Sequence, residues 1–581
     1  MFSLLLVFLL AGILPLLAAS VTGAASRAPG YGRSGMVVSS SAPAAEAGSR
    51  ILAAGGNAID AAVATAFAVG VTQPWSAGIG GGAFILVRHA DGTVEAVDAR
   101  ETAPAGATRD MFVAAGVAKH ASRHGPLAVA TPGMVRGLFE VHQKSGKLPW
   151  AQVLAPAIRL AGEGFVIGPR AARTIERMRR ALPAEIFPET TRIQFEGVGE
   201  LAEPGDRLVQ ADLAKTLEGI AAKGPDAFYA GPVAKKIAAE VKRRGGVLRE
   251  VDLHNYRAAL REPISGQYRG TTVYSFPPPS SGGVALVEML NTLSGYDLKE
   301  RGAGSSASLH LVAEAMKLAF ADRAAYLGDP DFVEIPVEEL VSKAYAAKLR
   351  AKIDPGRFTA TPWSFDCKGA VGEVKGPGLP ADDAGTTHLS VTDGAGNAVA
   401  ITATINTPYG SGITVPGTGI VLNNEMDDFS VAPDTPNVYG LIDTRGANAV
   451  APGKRPLSSM TPTILVKDGR PFMVTGSPGG PRIITTVLLG ILNVIDYGMN
   501  VQQAVSAPRF HHQWVPDKLF VEPATPADVV AALRACGHPV VVSKRNWSAN
   551  EAIVLDPATG WQLGGSDPRT DGGAIGNPPT P

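Results

Sequence analysis

The sequence predicts a protein of mixed α and β structure, and three observations carry that expectation. The chain has 581 residues, which at ~150 residues per domain amounts to about four structural units. Hydrophobic residues make up 45% and charged residues 18%, the balance of a globular chain. The patterning also changes at Gly385-Thr386, with long helical stretches before it and short strands with glycine turns after it.

From the N-terminus, Met1 to Ala19 is a continuous apolar stretch, followed by small residues at Ala18-Ala19-Ser20 and Ala24-Ala25-Ser26. This is the layout of an export signal, although the basic residues that usually precede the apolar run are missing. Pro15 and the small-residue tail favour cleavage, near Ala19 or Ala25, over a retained anchor. Residues 1–25 are therefore read as a signal peptide and the protein as periplasmic or secreted. A formal net charge of +0 gives no reason to expect nucleic acid or a polybasic membrane surface as partner. Cys367 and Cys536 form no Cys-x-x-Cys pair, so no structural zinc site is predicted, and the sequence leaves their pairing open.

Pro43 suits a first helical turn, and the run Ala44 to Ala54 ends at Gly55-Gly56, a helix stop. Ala58 to Val71 is small and apolar nearly all round, which predicts a buried helix. Gly78 to Gly82 precedes a strand and carries no Lys-Ser or Lys-Thr, so close backbone packing is expected rather than a phosphate loop. A strand at Val94 to Asp98 delivers Arg100, read either as a surface charge or as an anion clamp. Helices dominate from Val135 to Arg180 and from Ala211 to Arg244. Further helices are expected at Val284 to Leu293 and Ala307 to Leu327, the latter with an apolar face of Leu309, Val312, Ala313, Met316, Ala319 and Phe320.

Beyond the Gly-, Pro- and Asp-rich run from Lys368 to Asp383, strands are expected at Thr387 to Thr392 and Ala398 to Asn406, joined by a turn at Asp393 to Asn397. Gly385 leaves the next backbone open to close approach. On pattern alone, Thr386 is either a plain strand former or a nucleophile. Polar clusters follow at Thr404 to Thr407, Asn423 to Asp428, Lys454 to Met460 and Thr475 to Arg482, then a helix at Ile483 to Ile495. His511-His512 resembles a metal pair, but adjacent histidines point apart and no acidic or cysteine partner lies at ligand spacing, so no metal is predicted.

Together the clusters resemble the γ-glutamyltransferase (γ-glutamyltranspeptidase) family of N-terminal-nucleophile hydrolases. The matching stretches include Gly55 to Ala62, Asp98 to Pro104, Thr386-Thr387-His388, Asn423 to Phe429, Arg455 to Met460 and Gly476 to Gly480, in shared order from about Ser40 to Arg569. The resemblance implies an α+β fold, a four-layer αββα sandwich built by two fragments of one self-cleaving precursor. Residues 26–385 would form the large fragment and 386–581 the small one, associated as a heterodimer.

The implied chemistry is γ-glutamyl transfer from glutathione or another γ-glutamyl donor to water, an amino acid or a peptide, with no cofactor. A threonine hydroxyl needs a base, and an α-amino group titrates near ~7.7–8.0. Cutting before Thr386 would create that base on the nucleophile itself. By the same resemblance, Thr404 orients Thr386, and Gly479 and Gly480 donate backbone N–H groups to the oxyanion. Arg100, Ser458 and Ser459 grip the substrate α-carboxylate, and Asn406, Glu425 and Asp428 its α-amino group. Glu425 stands where bacterial relatives often carry Gln. The run Val431 to Ala449, with Tyr439, resembles the lid of glutathione-processing members. Two alternatives differ from this reading. One is an acylase acting on cephalosporins or other γ-linked amides. The other is an exported amino-acid-binding protein without turnover, which would remain one intact chain.

Overall fold

The computed structural model describes residues 26–118, 120–359, 385–432 and 435–578. The predicted signal peptide and Cys367 lie outside the described residues, and with Cys367 the possible pairing of the two cysteines. Among the described residues no helix is long and apolar enough to cross a membrane.

Two seven-stranded antiparallel sheets stack face to face. In the first the order is Gly573–Asn577, Gly35–Ser39, Thr386–Asp393, Ala398–Thr404, Gly82–Arg88, Val94–Ala99, Ala259–Arg261. In the second it is Gly30–Gly32, Gln562–Gly565, Glu551–Leu555, Arg470–Gly476, Thr463–Lys467, Thr271–Ser275, Ile264–Tyr268. Side chains alternate along each strand, and the alternation builds the layers. Met36 and Val38 point between the sheets with Phe84, Leu86, Ala398, Ile464 and Val474, while Val37, Ile85 and Val87 point to an outer helical layer. Phe84 from one sheet stacks on Phe276 beside the other, with ring centroids 4.0 Å apart.

The first outer layer contains Ala42–Ala53, Ala58–Thr72 and Met134–Ser145. Helix Ala58–Thr72 is buried at every residue, as its all-round apolar composition predicts, and Asn57 caps it by accepting from the N–H groups of Ile59 and Asp60. The second outer layer contains Gly282–Leu293, Ser306–Tyr326 and Arg482–Ile495, whose apolar side chains pack with Leu465 and Met473 of the second sheet. Four layers, αββα, result. The glycine cluster packs as expected: a Cβ on Gly80 or Gly81 would lie 2.1 Å from Val421 O or 2.0 Å from Thr404 O.

Two expectations need correction. Helix Ser306–Tyr326 has no single apolar face. From Ser308 to Ala325 it is buried on all sides, charged residues Glu314, Lys317, Asp322 and Arg323 included, because sheet, neighbouring helices and loops surround it. The second strand of the 386–404 hairpin stops at Thr404 rather than Asn406, since Asn406 turns into a positive φ of 75° and leaves the ladder.

Candidate active site

Strand register sets the Thr386 end of the site. Thr386 pairs with Thr404 across the hairpin, and their hydroxyls are 2.9 Å apart. Thr404 donates its hydroxyl to Gly385 O at 3.0 Å, and the Ile405 N–H reaches the same carbonyl at 3.3 Å. The Asn406 N–H donates back to the Thr404 hydroxyl at 2.8 Å. With the Thr404 proton directed at Gly385 O, the Thr386 hydroxyl is the donor between the two threonines. Gly385 must be glycine here, because a Cβ would lie 2.0 Å from Asn406 O.

Alternation separates the two adjacent threonines. Thr386 lines the site cavity, while Thr387 turns to the helical layer, bonding Ser40 and the Gln73 amide oxygen. His388 faces the second sheet, where its ring fills the space beside Gly476 and bonds Thr402 and Ser390. Burial pushes its pKa down to about 3, so it stays neutral.

A second group of side chains closes the opposite end of the same cavity. Arg100, at the end of strand Val94–Ala99, sends one guanidinium nitrogen to Glu425 and another to Asp428, while its Nε donates to Pro456 O at 3.1 Å. The two acids share the short helix Glu425–Asp428. Glu101 adds a third carboxylate 3.6 Å from Arg100. Burial drives the carboxyl pKa of Glu101 up to about 7 despite Arg100, and raises those of Glu425 and Asp428. The acids in turn hold the Arg100 guanidinium above its ordinary range.

Ser458 and Ser459 line the cavity beside these charges. The buried Ser459 hydroxyl has no hydrogen-bond partner among the described residues. Gly480 also lines the cavity; Gly479 does not, standing one residue back against Ser548. Both lie in the left-handed region, φ 135° and 56°, where glycine is the unstrained residue. Helix Arg482–Ile495 begins directly after them, so the pair sits at the positive end of a helix dipole. Asn406 bonds Asn424 O through its amide nitrogen at 3.0 Å. The Tyr439 hydroxyl donates to Asn406 O at 2.7 Å, and its ring stands where a Cβ on Gly480 would be.

The sequence reading did not single out the apolar lining residues Leu441, Leu457, Met460 and Ile483, nor one charged residue. Arg323 lies on helix Ser306–Tyr326 and reaches the site, donating from Nε to the Ser281 hydroxyl at 3.1 Å; Ser281 in turn donates to Ser458 O at 2.7 Å. Burial lowers its pKa to about 10. Its signal was a charged pair, Asp322-Arg323, in a largely apolar helix that also carries Glu314 and Lys317. The histidine pair turns apart as expected, His511 to Thr485 and Gln513, but His512 does meet an acid, Asp517, at 3.0 Å.

The sequence profile of the family described as Gamma-glutamyltranspeptidase matches residues 44–577. A glutathione hydrolase proenzyme of Escherichia coli (strain K12) is 47% identical over 548 residues, covering 93% of this chain and 91% of that protein. An acylase ACY 1 proenzyme of Pseudomonas sp. (strain SE83) is 40% identical over 560 residues, covering 94% and 95%. Among solved structures, a cephalosporin acylase from Bacillus halodurans superposes with a TM-score of 0.83 at 33% identity, covering 96% of this chain and 98% of that one.

Proposed function

The chain belongs to the γ-glutamyltranspeptidase family, and from that premise we propose how its site makes and uses its nucleophile. The protein is an enzyme of γ-glutamyl transfer and hydrolysis, a γ-glutamyltransferase and glutathione hydrolase. The observation that carries the proposal is the set of contacts at Gly385-Thr386: a hydroxyl, its acceptor, and two donors already on the carbonyl to be attacked.

In the uncut chain, Thr386 Oγ1 attacks the Gly385 carbonyl carbon. Its proton passes towards Thr404, while Thr404 and the Ile405 N–H carry the developing oxyanion. The C–N bond breaks, the nitrogen takes a proton, and an ester joins Gly385 to Thr386 Oγ1. Water opens the ester, leaving a Gly385 carboxylate and a Thr386 with free amine and free hydroxyl. Residues 26–385 and 386–581 remain together as a heterodimer.

The same hydroxyl then attacks the γ-carbonyl of a donor such as glutathione, with the Thr386 amine as base. Gly479 and Gly480 supply N–H groups to the tetrahedral oxyanion, each such donor being worth ~2.7–4 kcal/mol. The leaving amine takes the proton, and water or the amine of an amino acid or peptide accepts the γ-glutamyl group from the ester. Arg100, Ser458 and Ser459 take the donor's α-carboxylate, an Arg fork suiting that geometry. Asn406, Glu425 and Asp428 take its ammonium. Since Arg100 is bonded to Glu425 and Asp428, a zwitterion inserts into an existing ion pair. Its carboxylate replaces the acids on Arg100 while its ammonium replaces Arg100 on the acids.

Tyr439, packed over Gly480, supports a lid and thus glutathione-like donors. The acylase relatives at 40% identity support the alternative, a cephalosporin side chain, and comparing hydrolysis of glutathione with that of glutaryl-cephalosporin separates the two. Export rests on the apolar run and small residues of 1–25, and the N-terminal sequence of secreted or periplasmic protein tests it. For the central reading, Thr386→Ala should leave a single chain of the 60 kDa class that releases no p-nitroaniline from a γ-glutamyl anilide. A variant that still splits and turns over would sink the assignment.

A further inference from the structure

We propose that His310, Cys536 and His538 form a binding site for a thiophilic divalent metal ion of the zinc class, joining the chain before Gly385 to the chain after it. His310 lies on helix Ser306–Tyr326, Cys536 caps the end of helix Ala527–Ala535, and His538 follows two residues later. Their donor atoms lie within 4.8 Å of one another. His310 Nδ1 is 2.8 Å from His538 Nε2 and 3.7 Å from Cys536 Sγ. Around a tetrahedral zinc ion, with bonds of ~2.0–2.3 Å, neighbouring donors stand about 3.3–3.6 Å apart. The tripod forms when the two rings part by about half an ångström and Cys536 Sγ and His538 Nε2, already within 4.8 Å, settle at the same spacing.

The outer contacts fit a ligand set. His310 donates its Nε2–H to Asp354 O at 2.7 Å, the kind of contact that fixes the tautomer of a metal-bound histidine. Its Nδ1 lone pair then points at the other two residues. In the metal-free arrangement His538 donates Nε2–H to that lone pair, and its own buried Nδ1 has no hydrogen-bond partner. On binding, the hydrogen bond between the rings is replaced by two nitrogen–metal bonds, and the His538 proton relocates to Nδ1. The Cys536 thiol gives its proton to solvent, so one proton is released per ion. Two imidazoles and a thiolate, with no carboxylate, select a borderline-soft ion over calcium or magnesium. The half-buried Cys536 provides an entry route and room for water as fourth ligand.

The site also gathers the end of the described large segment. Phe358 N donates to Cys536 O at 2.9 Å, and the Cys536 thiol reaches Gly356 O at 3.3 Å. A bound ion would add a direct cross-link between the two fragments. That role rests on the proposed cleavage, whereas metal binding does not.

The test is Co²⁺ titration of the full protein after chelator treatment, followed by Zn²⁺ competition. One equivalent of Co²⁺ should give four-coordinate visible bands and a thiolate charge-transfer band, both displaced by Zn²⁺. Cys536→Ser and His538→Ala should each weaken binding at least tenfold, and Cys367→Ser should not. Cys536→Ser should keep its turnover of γ-glutamyl anilide, showing that it folds. Absence of the thiolate band, or its persistence in Cys536→Ser, overturns the proposal. Co²⁺ binding by a protein that stays one chain supports the site and refutes the cleavage reading alone.

Discussion

The two ends of the cavity solve different physical problems. At the Thr386 end every group is neutral, and position comes from strand register: Thr386 opposite Thr404, with Gly385 pressed against Asn406. At the Arg100 end, one guanidinium meets the buried Glu101 and Glu425 and the half-buried Asp428. Backbone ladders hold the first end whether or not its side chains are altered. The second end holds itself by charge, so its side chains carry both binding and local stability. Variants at the two ends should therefore fail in different ways.

The largest effect is expected from Arg100→Ala. Removing one partner of a buried ion pair costs ~3–5 kcal/mol, because the acids stay buried without it. Denaturant unfolding should show that loss together with abolished donor turnover; unchanged stability would mean the acids are not held by Arg100. Next comes Thr404→Val, which keeps the shape but removes the hydroxyl between Thr386 and Gly385 O. Chain cutting, followed on gels, should slow ~10²-fold or more, with an unfolding midpoint shift smaller than that of Arg100→Ala. Equal losses of stability at both ends would break the comparison.

The pH response is the third discriminator. Glu101, with its pKa pushed up to about 7, is protonated at pH 6 and ionised at pH 8. Its added negative charge beside Arg100 opposes the donor's carboxylate, so KM should rise with pH across this range. The folded state binds that proton more tightly than the unfolded chain does. Stability from this group is therefore present at low pH and falls as pH rises from the ordinary carboxylate range through about 7. Glu101→Gln should flatten both profiles; a KM–pH curve unchanged in that variant assigns the effect elsewhere. The smallest effect belongs to Ser459→Ala. Its hydroxyl has no partner among the described residues, so donor KM should rise by the worth of one hydrogen bond, ~0.5–1.5 kcal/mol, with stability unchanged.

The geometry of the Thr386 end was legible in the sequence because it is local, whereas the role of Thr386 rests on the family resemblance. Gly385-Thr386, the hairpin and the glycine pair Gly479-Gly480 are contiguous motifs, and helix Ala58–Thr72 announced its burial by composition. What escaped depends on packing between distant segments. Arg323 was hidden because the helix carrying it reads as an ordinary core element, and only the fold shows that its charged residues are buried too. That Thr387 faces Ser40 and Gln73 follows from strand alternation once the sheet is known, but which face holds the cavity does not. His310 and Cys536, 226 positions apart, have no sequence spacing by which to be recognised as neighbours.

The hairpin 386–404 lies in the middle of the first sheet, with Gly35–Ser39 on one side and Gly82–Arg88 on the other. Likewise, in the second sheet, strands that follow Thr386 in the chain have Gly30–Gly32 and Thr271–Ser275, which precede it, as neighbours. Were the chain cut before Thr386 as proposed, neither piece could depart without stripping strands from both sheets. Dilution should then leave the enzyme intact, and its working lifetime should follow the rate of global unfolding rather than an equilibrium between separable subunits.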